Sequence, residues 1–447
     1  MIPVLILTPY FAPQTHAAMF RVHKLAKYLP EFGFKPIIVT SDTNYLYNED
    51  PRLLEELPDC VEVHRARHIE PTIRGLRMAM GGKDRTFAAL KRKSLLSPLS
   101  TGGKKETQGI NTRPRLNMGR IVRVLAEWPD RYWTWDLAVR HICRDLIRKH
   151  EIRLLYTTAI PTSPLRSALF LQKEFELQWV ADFRDPVGYG SKHTARGLLG
   201  HFFEQRIMNR TMASASMVTG LSGAYGGIFF DLYGLPESRF RFIPTGLDQA
   251  YLDDTAEQRQ VFIHVGEVMP NQSAHAFSVM ARAAELEPEC FAGFRLEVVG
   301  RRDINQPLVE KIVGGIPSWS IPIDFIDHIP QGQLYRRIRT SRGALLIPGR
   351  HRYWWTNFAK LVDYIGLGVP VVADVPPISE AREELRKTGN AHFLGGSDVD
   401  SDARSLLQWM DEEPTEGDKK YQARYTARQQ AKEFASIYHD LLKREGN

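Results

Sequence analysis

No glycine lies between Met1 and Glu31, yet this opening reads as a βαβ unit. Val4-Leu5-Ile6-Leu7 is a short buried strand, about Ala17 to Leu29 a helix, and Pro36-Ile37-Ile38-Val39-Thr40 a second strand. Without glycines the turn after the first strand cannot be a G-x-G-x-x-G dinucleotide fingerprint, which argues against a nicotinamide-dependent enzyme. Cysteine is also scarce. Cys60, Cys143 and Cys290 are odd in number, far apart and without metal-ligand spacing. They are expected to be inert thiols in a reducing compartment, with no metal site. No run approaches the ~20 apolar residues that span a bilayer. The start, M-I-P-V-L-I-L-T-P-Y, lacks the basic region and cleavage site of a signal peptide. The expected location is the cytoplasm, with room for a peripheral position at the inner face of a membrane.

Acidic charge is scarce in one stretch. Between Arg65 and Arg123 fifteen Lys/Arg face three acids, so that segment carries +12 of a chain whose net charge is +7, and the remainder is −5. Local charge of this kind points to a partner surface. Within it, residues 74–123 read as a basic, flexible insertion, with Lys91-Arg92-Lys93 and Lys104-Lys105 interleaved with Leu76, Met78, Phe87 and Leu90. Contact with anionic lipid headgroups is one reading, and a solvated surface loop is the other. Nucleic acid is not expected, because the aromatic interleaving of a single-strand binder is missing.

With 43% apolar and 25% charged residues over 447 positions, the chain is long enough for two or three ordinary globular domains. Strand and helix patterns alternate twice. The first series runs through Leu154–Thr158, Gln178–Ala181 and Met217–Thr219 to Phe240–Asp248. The second starts at Val261–Val265 and continues through Phe294–Val299, Ile323–Ile326, Ala344–Pro348, Val371–Ala373 and His392–Leu394. The fold class is therefore α/β, two doubly wound Rossmann-like domains facing one cleft. The boundaries are set at 1–245 and 246–418, with a long polar helix over 419–447.

Two stretches concentrate chemistry. In Trp354–Asp374, Thr356-Asn357 opens a helical run from Phe358 to Ile365, ended by Gly366 and Gly368. A helix that starts at Asn357, Phe358 and Ala359 turns unpaired backbone N–H groups toward an anion such as a phosphate. Lys360 adds a positive charge and Asp363 a carboxylate suited to ribose hydroxyls. An ordinary αβ unit with surface Lys and Asp is the alternative. The other stretch, Asp182-Phe183-Arg184-Asp185-Pro186, ends a parallel strand, where such folds place ligands. There Arg184 and Asp185 either line a site or pin the loop.

The whole length resembles the retaining glycosyltransferases with two Rossmann-like domains (GT-B), the large glycogen-synthase-like group, in its bacterial surface-polysaccharide form. Four stretches carry the likeness: L-T-P-Y-F-A-P-Q-T-H-A-A-M-F-R from Leu7, W-V-A-D-F-R-D-P from Trp179, I-P-T-G-L-D from Ile243, and N-F-A-K-L-V-D-Y-I-G-L-G-V-P-V-V from Asn357. The resemblance implies a sugar moved from a nucleotide-diphosphate donor to a lipid-linked or polysaccharide acceptor in cell-surface glycan biosynthesis. Configuration would be retained, with no cofactor and no metal. Asn357, Phe358 and Ala359 would offer backbone N–H groups to the diphosphate, Asp363 would hold the ribose, and Gly266 would let the backbone approach the phosphates. His16 would lie near the reacting sugar, and Arg184 and Asp185 on the acceptor side. The last helix would cross back to the first domain.

Departures from the pattern set the alternatives. Trp355 stands where the family often has a glutamate. Glu267, Asn271 and Gln272 follow Gly266, where the family commonly has Arg and Lys. Arg301, Arg302, Arg350, Arg352 and Lys360 remain to meet the charge of the leaving diphosphate. A second reading is thus a catalytically degenerate scaffold of the same fold, and a third is a sugar-nucleotide epimerase.

Overall fold

The computed structural model describes residues 1–15, 17–43, 49–70, 75, 130–189, 197–252, 257–268, 274–348, 353–396, 398–412 and 417–445. His16, Arg350, Arg352, Asn271 and Gln272 lie outside these residues, as does the basic stretch 74–123 apart from Gly75. The chain divides into two compact units. The first comprises Met1–Gly220, Ile228–Arg241 and Ala435–Asn447, the second Leu221–Gly227 and Phe242–Phe434.

The first unit is built on seven strands: β1 (Ile2–Leu7), β2 (Phe34–Ser41), β3 (Glu62–Ala66), β4 (Leu154–Ala159), β5 (Gln178–Phe183), β6 (Met217–Gly220) and β7 (Phe240–Phe242). Their order is β3-β2-β1-β4-β5-β6-β7. The pairings from β3 through β6 are parallel. The order reverses between β1 and β4, which marks the crevice at their carboxyl ends. Val4, Leu5, Ile6 and Leu7 are all fully buried, as expected of a central strand covered on both faces.

The second unit is a six-stranded sheet of β8 (Arg259–Val265), β9 (Arg295–Val299), β10 (Ile323–Ile326), β11 (Ser341–Leu346), β12 (Val371–Ala373) and β13 (Ala391–Phe393). The order is β10-β9-β8-β11-β12-β13, with parallel pairing throughout. Period-two alternation sorts its side chains onto two faces. Phe262, Leu345 and Val372 pack with the helices Ala274–Leu286 and Val399–Asp411. Ile263, Ala344, Leu346 and Val371 pack with the helices Gln331–Arg339, Ala359–Leu367 and Glu380–Thr388. Both faces are covered, which makes this sheet doubly wound as well. The reversal here lies between β8 and β11.

Among the described residues, three helices of ten or more residues escape the sequence reading. Arg302–Val313 carries Pro307 inside it, a residue that normally argues against helix. Val399–Asp411 starts in a run of acids, where Asp398 caps the N–H groups of Asp400 and Ser401. Ala224–Tyr233 holds a glycine pair, Gly226-Gly227. The closing helix also differs. Lys419–Gln422 and Ala423–Tyr425 are separate short turns, and the long helix is Ala427–Glu445. The break arises because Leu247 pairs with this segment: its N–H donates to the Tyr425 carbonyl (2.8 Å) and its carbonyl accepts from Ala427 N (2.7 Å). The long helix starts with the second unit, and from Ala435 on it belongs to the first. There Tyr438 and His439 lie against Phe34, with ring centroids 5.4 and 4.8 Å apart.

Candidate functional site

The carboxyl end of β8 turns sharply at Gly266, whose φ is +90°. That region is open to glycine and strained for other residues. Asn305, fully buried in the first turns of helix Arg302–Val313, holds the turn from both sides. Its Nδ2 donates to the Gly266 carbonyl (3.0 Å), and its Oδ1 accepts from Val268 N (2.9 Å). Nothing in the sequence pattern singled out Asn305, because the proline two residues later hid its helix.

The helix Ala359–Leu367 starts with Phe358 in extended conformation (φ −71°, ψ 143°) and without a capping side chain. The first N–H groups of such a helix have no acceptor within it, so Ala359 and Lys360 can offer theirs to an anion. Lys360 reaches back to β8. Its Nζ lies 3.1 Å from His264 Nε2, and a Cβ placed on Gly266 would sit 3.7 Å from its Cε and Nζ. Burial pushes the Lys360 pKa down to about 7. Asp363, half-buried on the same helix, is three residues beyond Lys360 and four beyond Ala359, so the three share one face. Gly266, Ala359 and Lys360 are thus gathered where β8 ends beside β11, at the reversal of the strand order, with Asp363 one turn further along the helix.

The other donor-side residues are placed differently. The side chain of Asn357 is buried among the packing groups, with Nδ2 3.5 Å from Tyr425 Oη and Oδ1 without a hydrogen-bond partner. Phe358 packs on the core beneath the helix. Arg301 follows the end of β9, with Nη2 on Asp303 (2.8 Å) and Nη1 3.8 Å from Glu267, so two carboxylates already share its charge. Arg302 turns along its own helix to Gln306 (2.9 Å). Gly366 does not end the helix, contrary to the sequence expectation. It lies within it, where a Cβ would come 2.2 Å from Leu247 Cδ2. Gly368 (φ +69°) is the left-handed cap, its N–H on the carbonyls of Ile365 and Tyr364.

In the first unit, Asp182 is structural. It is fully buried and accepts from Arg21 Nε (2.7 Å) and Nη2 (2.8 Å), Tyr156 Oη (2.7 Å) and Thr219 Oγ1 (2.6 Å). Arg184 ties the β5 turn to its neighbour: its N–H donates to the Ala159 carbonyl (3.1 Å) and its Nη2 to the Ile160 carbonyl (2.7 Å). Asp185, half-buried, follows it in the same turn. The loop after β1 is pinned by Ser41 Oγ on the Pro9 carbonyl (2.7 Å) and Arg65 Nη2 on the Ala12 carbonyl (2.5 Å). Beside it, Arg131 Nη2 donates to Tyr10 Oη (3.1 Å) and the guanidinium lies 5.1 Å over the Tyr132 ring. The ring of buried His68 is 5.9 Å from that of Tyr132. The aromatic run around Tyr132 reads in the sequence as packing, so this polar-aromatic cluster at the carboxyl edge of β1–β3 was missed.

No protein-family profile matches this chain, and no curated protein matches it in sequence. Solved structures do match in fold. Anabaena HepE in complex with UDP superposes with a TM-score of 0.57 at 12% identity, over 98% of this chain and 100% of that one. WaaG, a glycosyltransferase involved in lipopolysaccharide biosynthesis, gives 0.52 at 13% identity, over 97% and 99%. A Listeria monocytogenes protein described as a UDP-N-acetylglucosamine 2-epimerase gives 0.53 at 10% identity, over 99% and 97%. The chain has the two-Rossmann-domain GT-B fold. At these identities the likeness is one of fold, and the function is argued from the residues.

Proposed function

We propose that this protein is a glycosyltransferase that moves a sugar from a nucleotide-diphosphate donor to a lipid-linked or polysaccharide acceptor in cell-surface glycan assembly, with retention. The observation that carries the reading is the convergence of Gly266, the first N–H groups of helix Ala359–Leu367 and Lys360 at the strand-order reversal of the second unit. Open backbone, helix N–H groups and a cation are what a diphosphate requires, and Asp363 on the same face supplies a carboxylate for ribose hydroxyls. Preorganised donors there stabilise the leaving diphosphate without a metal ion. The polar-aromatic cluster of Tyr10, Arg131 and Tyr132 in the first unit is suited to sugar hydroxyls and ring faces, so the acceptor is assigned to that unit together with His16, Arg184 and Asp185. Arg352 is assigned to the donor. The basic stretch 74–123 is assigned to an anionic membrane surface at the cytoplasmic side.

The test is a thermal-shift panel of UDP-, GDP-, ADP- and dTDP-sugars with Lys360→Met and Asp363→Ala in parallel. One nucleotide should raise Tm by several degrees and both variants should lose the effect. A donor that shifts the wild type and both variants alike refutes the assignment of the site.

One observation favours the scaffold reading: Glu267 and Asp303 flank Arg301, so charge that a leaving diphosphate would use is already engaged. A scaffold should bind neither UDP nor GDP. An epimerase, the function named for one neighbour of the same fold, should convert a donor with no acceptor present.

A further inference from the structure

His264, the penultimate residue of strand β8, is only 2% exposed. A buried imidazole needs partners for its ring nitrogens. Nδ1 lies 3.2 Å from the Leu345 carbonyl on β11. The Glu267 carbonyl also reaches the ring; carbonyls only accept, and with the Nδ1 proton given to Leu345, Nε2 is left as a lone pair. That lone pair faces Lys360 Nζ at 3.1 Å, and the amine donates to it. Burial and the adjacent amine hold the His264 pKa well below its ordinary value, so the ring stays neutral and remains an acceptor.

We infer that His264 is a positioning residue, a neutral acceptor that fixes the Lys360 amino group beside Gly266 so that it meets the donor diphosphate. This rests on the donor-binding reading of the second unit. A lysine carries three donors on a flexible four-carbon stem and spends entropy when it is ordered. One N–H spent on a fixed ring leaves the other two directed at the open ground over Gly266. The same arrangement couples binding to a proton. Burial alone accounts for the lowered Lys360 pKa, so at neutral pH only part of the population is charged, and a bound diphosphate draws the rest to the ammonium form. The other titratable groups on the elements around it are Asp363 and Tyr364 of its own helix, Tyr335 of the neighbouring helix, and Glu267 and Arg301 beyond β8 and β9.

The experiment is calorimetric titration of the full chain with UDP, GDP and inorganic pyrophosphate from pH 6.5 to 9, together with ¹⁵N NMR of the histidine tautomer. His264→Gln keeps an acceptor near the place of Nε2, whereas His264→Asn keeps only the donor to Leu345. Binding to the wild type should weaken by up to about tenfold per pH unit above pH 7, as one proton is taken up. His264→Gln should stay within about threefold of it, and His264→Asn should lose about tenfold, near the 1.4 kcal/mol that a well-placed hydrogen bond contributes. In a Lys360→Met background the Asn substitution should cost nothing further. Equal losses for Asn and Gln, a loss that persists without Lys360, or an Nε2–H tautomer would each overturn the inference while leaving the donor site standing. If the wild type binds none of the three probes, the donor-site reading falls and takes this inference with it.

Discussion

Replacing Asp182 by alanine separates a structural from a catalytic role for the W-V-A-D-F-R-D-P stretch. Asp182 is fully buried and Arg21 is 2% exposed, so the substitution leaves a buried guanidinium without its carboxylate. Breaking such a buried pair costs about 3–5 kcal/mol. Tyr156 and Thr219 also lose their acceptor, and a stranded buried hydroxyl costs about 1–3 kcal/mol. These terms overlap, so about 5 kcal/mol is the working figure, within reach of the whole stability of a domain at about 5–15 kcal/mol. For a unit of this size that is a fall in Tm of roughly 10–20 °C. The assay is thermal and urea unfolding of Asp182→Ala beside the double variant Arg21→Met/Asp182→Leu. The double variant removes both charges and should recover much of the loss. Arg184→Ala, which releases one carbonyl on a half-buried turn, should lower stability by only about 1 kcal/mol. An Asp182→Ala protein with unchanged Tm but no activity would refute the structural assignment and return Asp182 to the chemistry.

Gly246→Ala should destabilise the second unit, because its Cβ would fall 2.0 Å from the Thr426 carbonyl carbon and 2.2 Å from Ala427 N. Backbone cannot yield as a flexible side chain does, and a loss of about 1–3 kcal/mol in urea unfolding is expected; an unchanged midpoint would show that the 246–248 segment is not seated against 425–427. The Glu62 pKa is lowered to about 2, chiefly by the Lys35 ammonium at 2.6 Å, against an opposing effect of burial. A carboxylate depressed in the folded state contributes fully above its unfolded value near 4.5 and loses that contribution as pH falls toward 2. Solvent screening at this partly exposed pair limits it to under about 1 kcal/mol. Glu62→Gln should therefore lower stability at pH 6 and converge with the wild type near pH 2; a constant difference at both would refute the linkage. Deletion of residues 85–115 should abolish salt-sensitive binding to anionic liposomes, and equal binding after deletion would remove that stretch as the membrane contact.

The parts of this fold legible in the sequence are those where burial imposes a period. Central strands such as Val4–Leu7 and Val261–Val265 are continuous apolar runs because both faces are covered, and the structure places them within a residue or two. The helix at Ala359 was legible because its capless polar entry and its Gly368 cap are local signals. Helix Arg302–Val313 was not, because Pro307 mimics a breaker, and with it went Asn305, whose role depends on a tertiary contact with the Gly266 turn. His264 was hidden for a related reason. In the sequence it is one polar residue within an apolar strand, and only the pairing of β8 with β11 and the reach of Lys360 give its two nitrogens partners. For Asn357 the motif concerns the backbone N–H alone; that its side chain is turned into the packing around Tyr425 depends on a tertiary contact with no local signal.

The charge balance beside Gly266 decides how strongly a donor can be held. Arg301 lies within 3.8 Å of Glu267 and 2.8 Å of Asp303, and all three side chains are roughly half or more exposed. Exposed pairs of this kind are worth about 0.2–1 kcal/mol, so a diphosphate competes for Arg301 at little cost, but the Glu267 carboxylate stays nearby and repels it. Glu267→Gln removes that repulsion and leaves the backbone turn, held by Asn305, in place. Affinity for UDP or GDP should rise twofold to fivefold, about 0.5–1 kcal/mol, and the gain should shrink as salt is raised toward 1 M, where the Debye length is about 3 Å. Asp303→Asn should give a smaller gain, because it also loosens the hydrogen bond that orders the guanidinium. If Glu267→Gln leaves affinity unchanged at low salt while Lys360→Met abolishes it, Arg301 takes no part in binding the diphosphate. The helix terminus and Lys360 would then carry that charge on the second unit's described residues. If instead both variants leave nucleotide binding unaltered, the anion sits elsewhere and the site built on Gly266 is wrong.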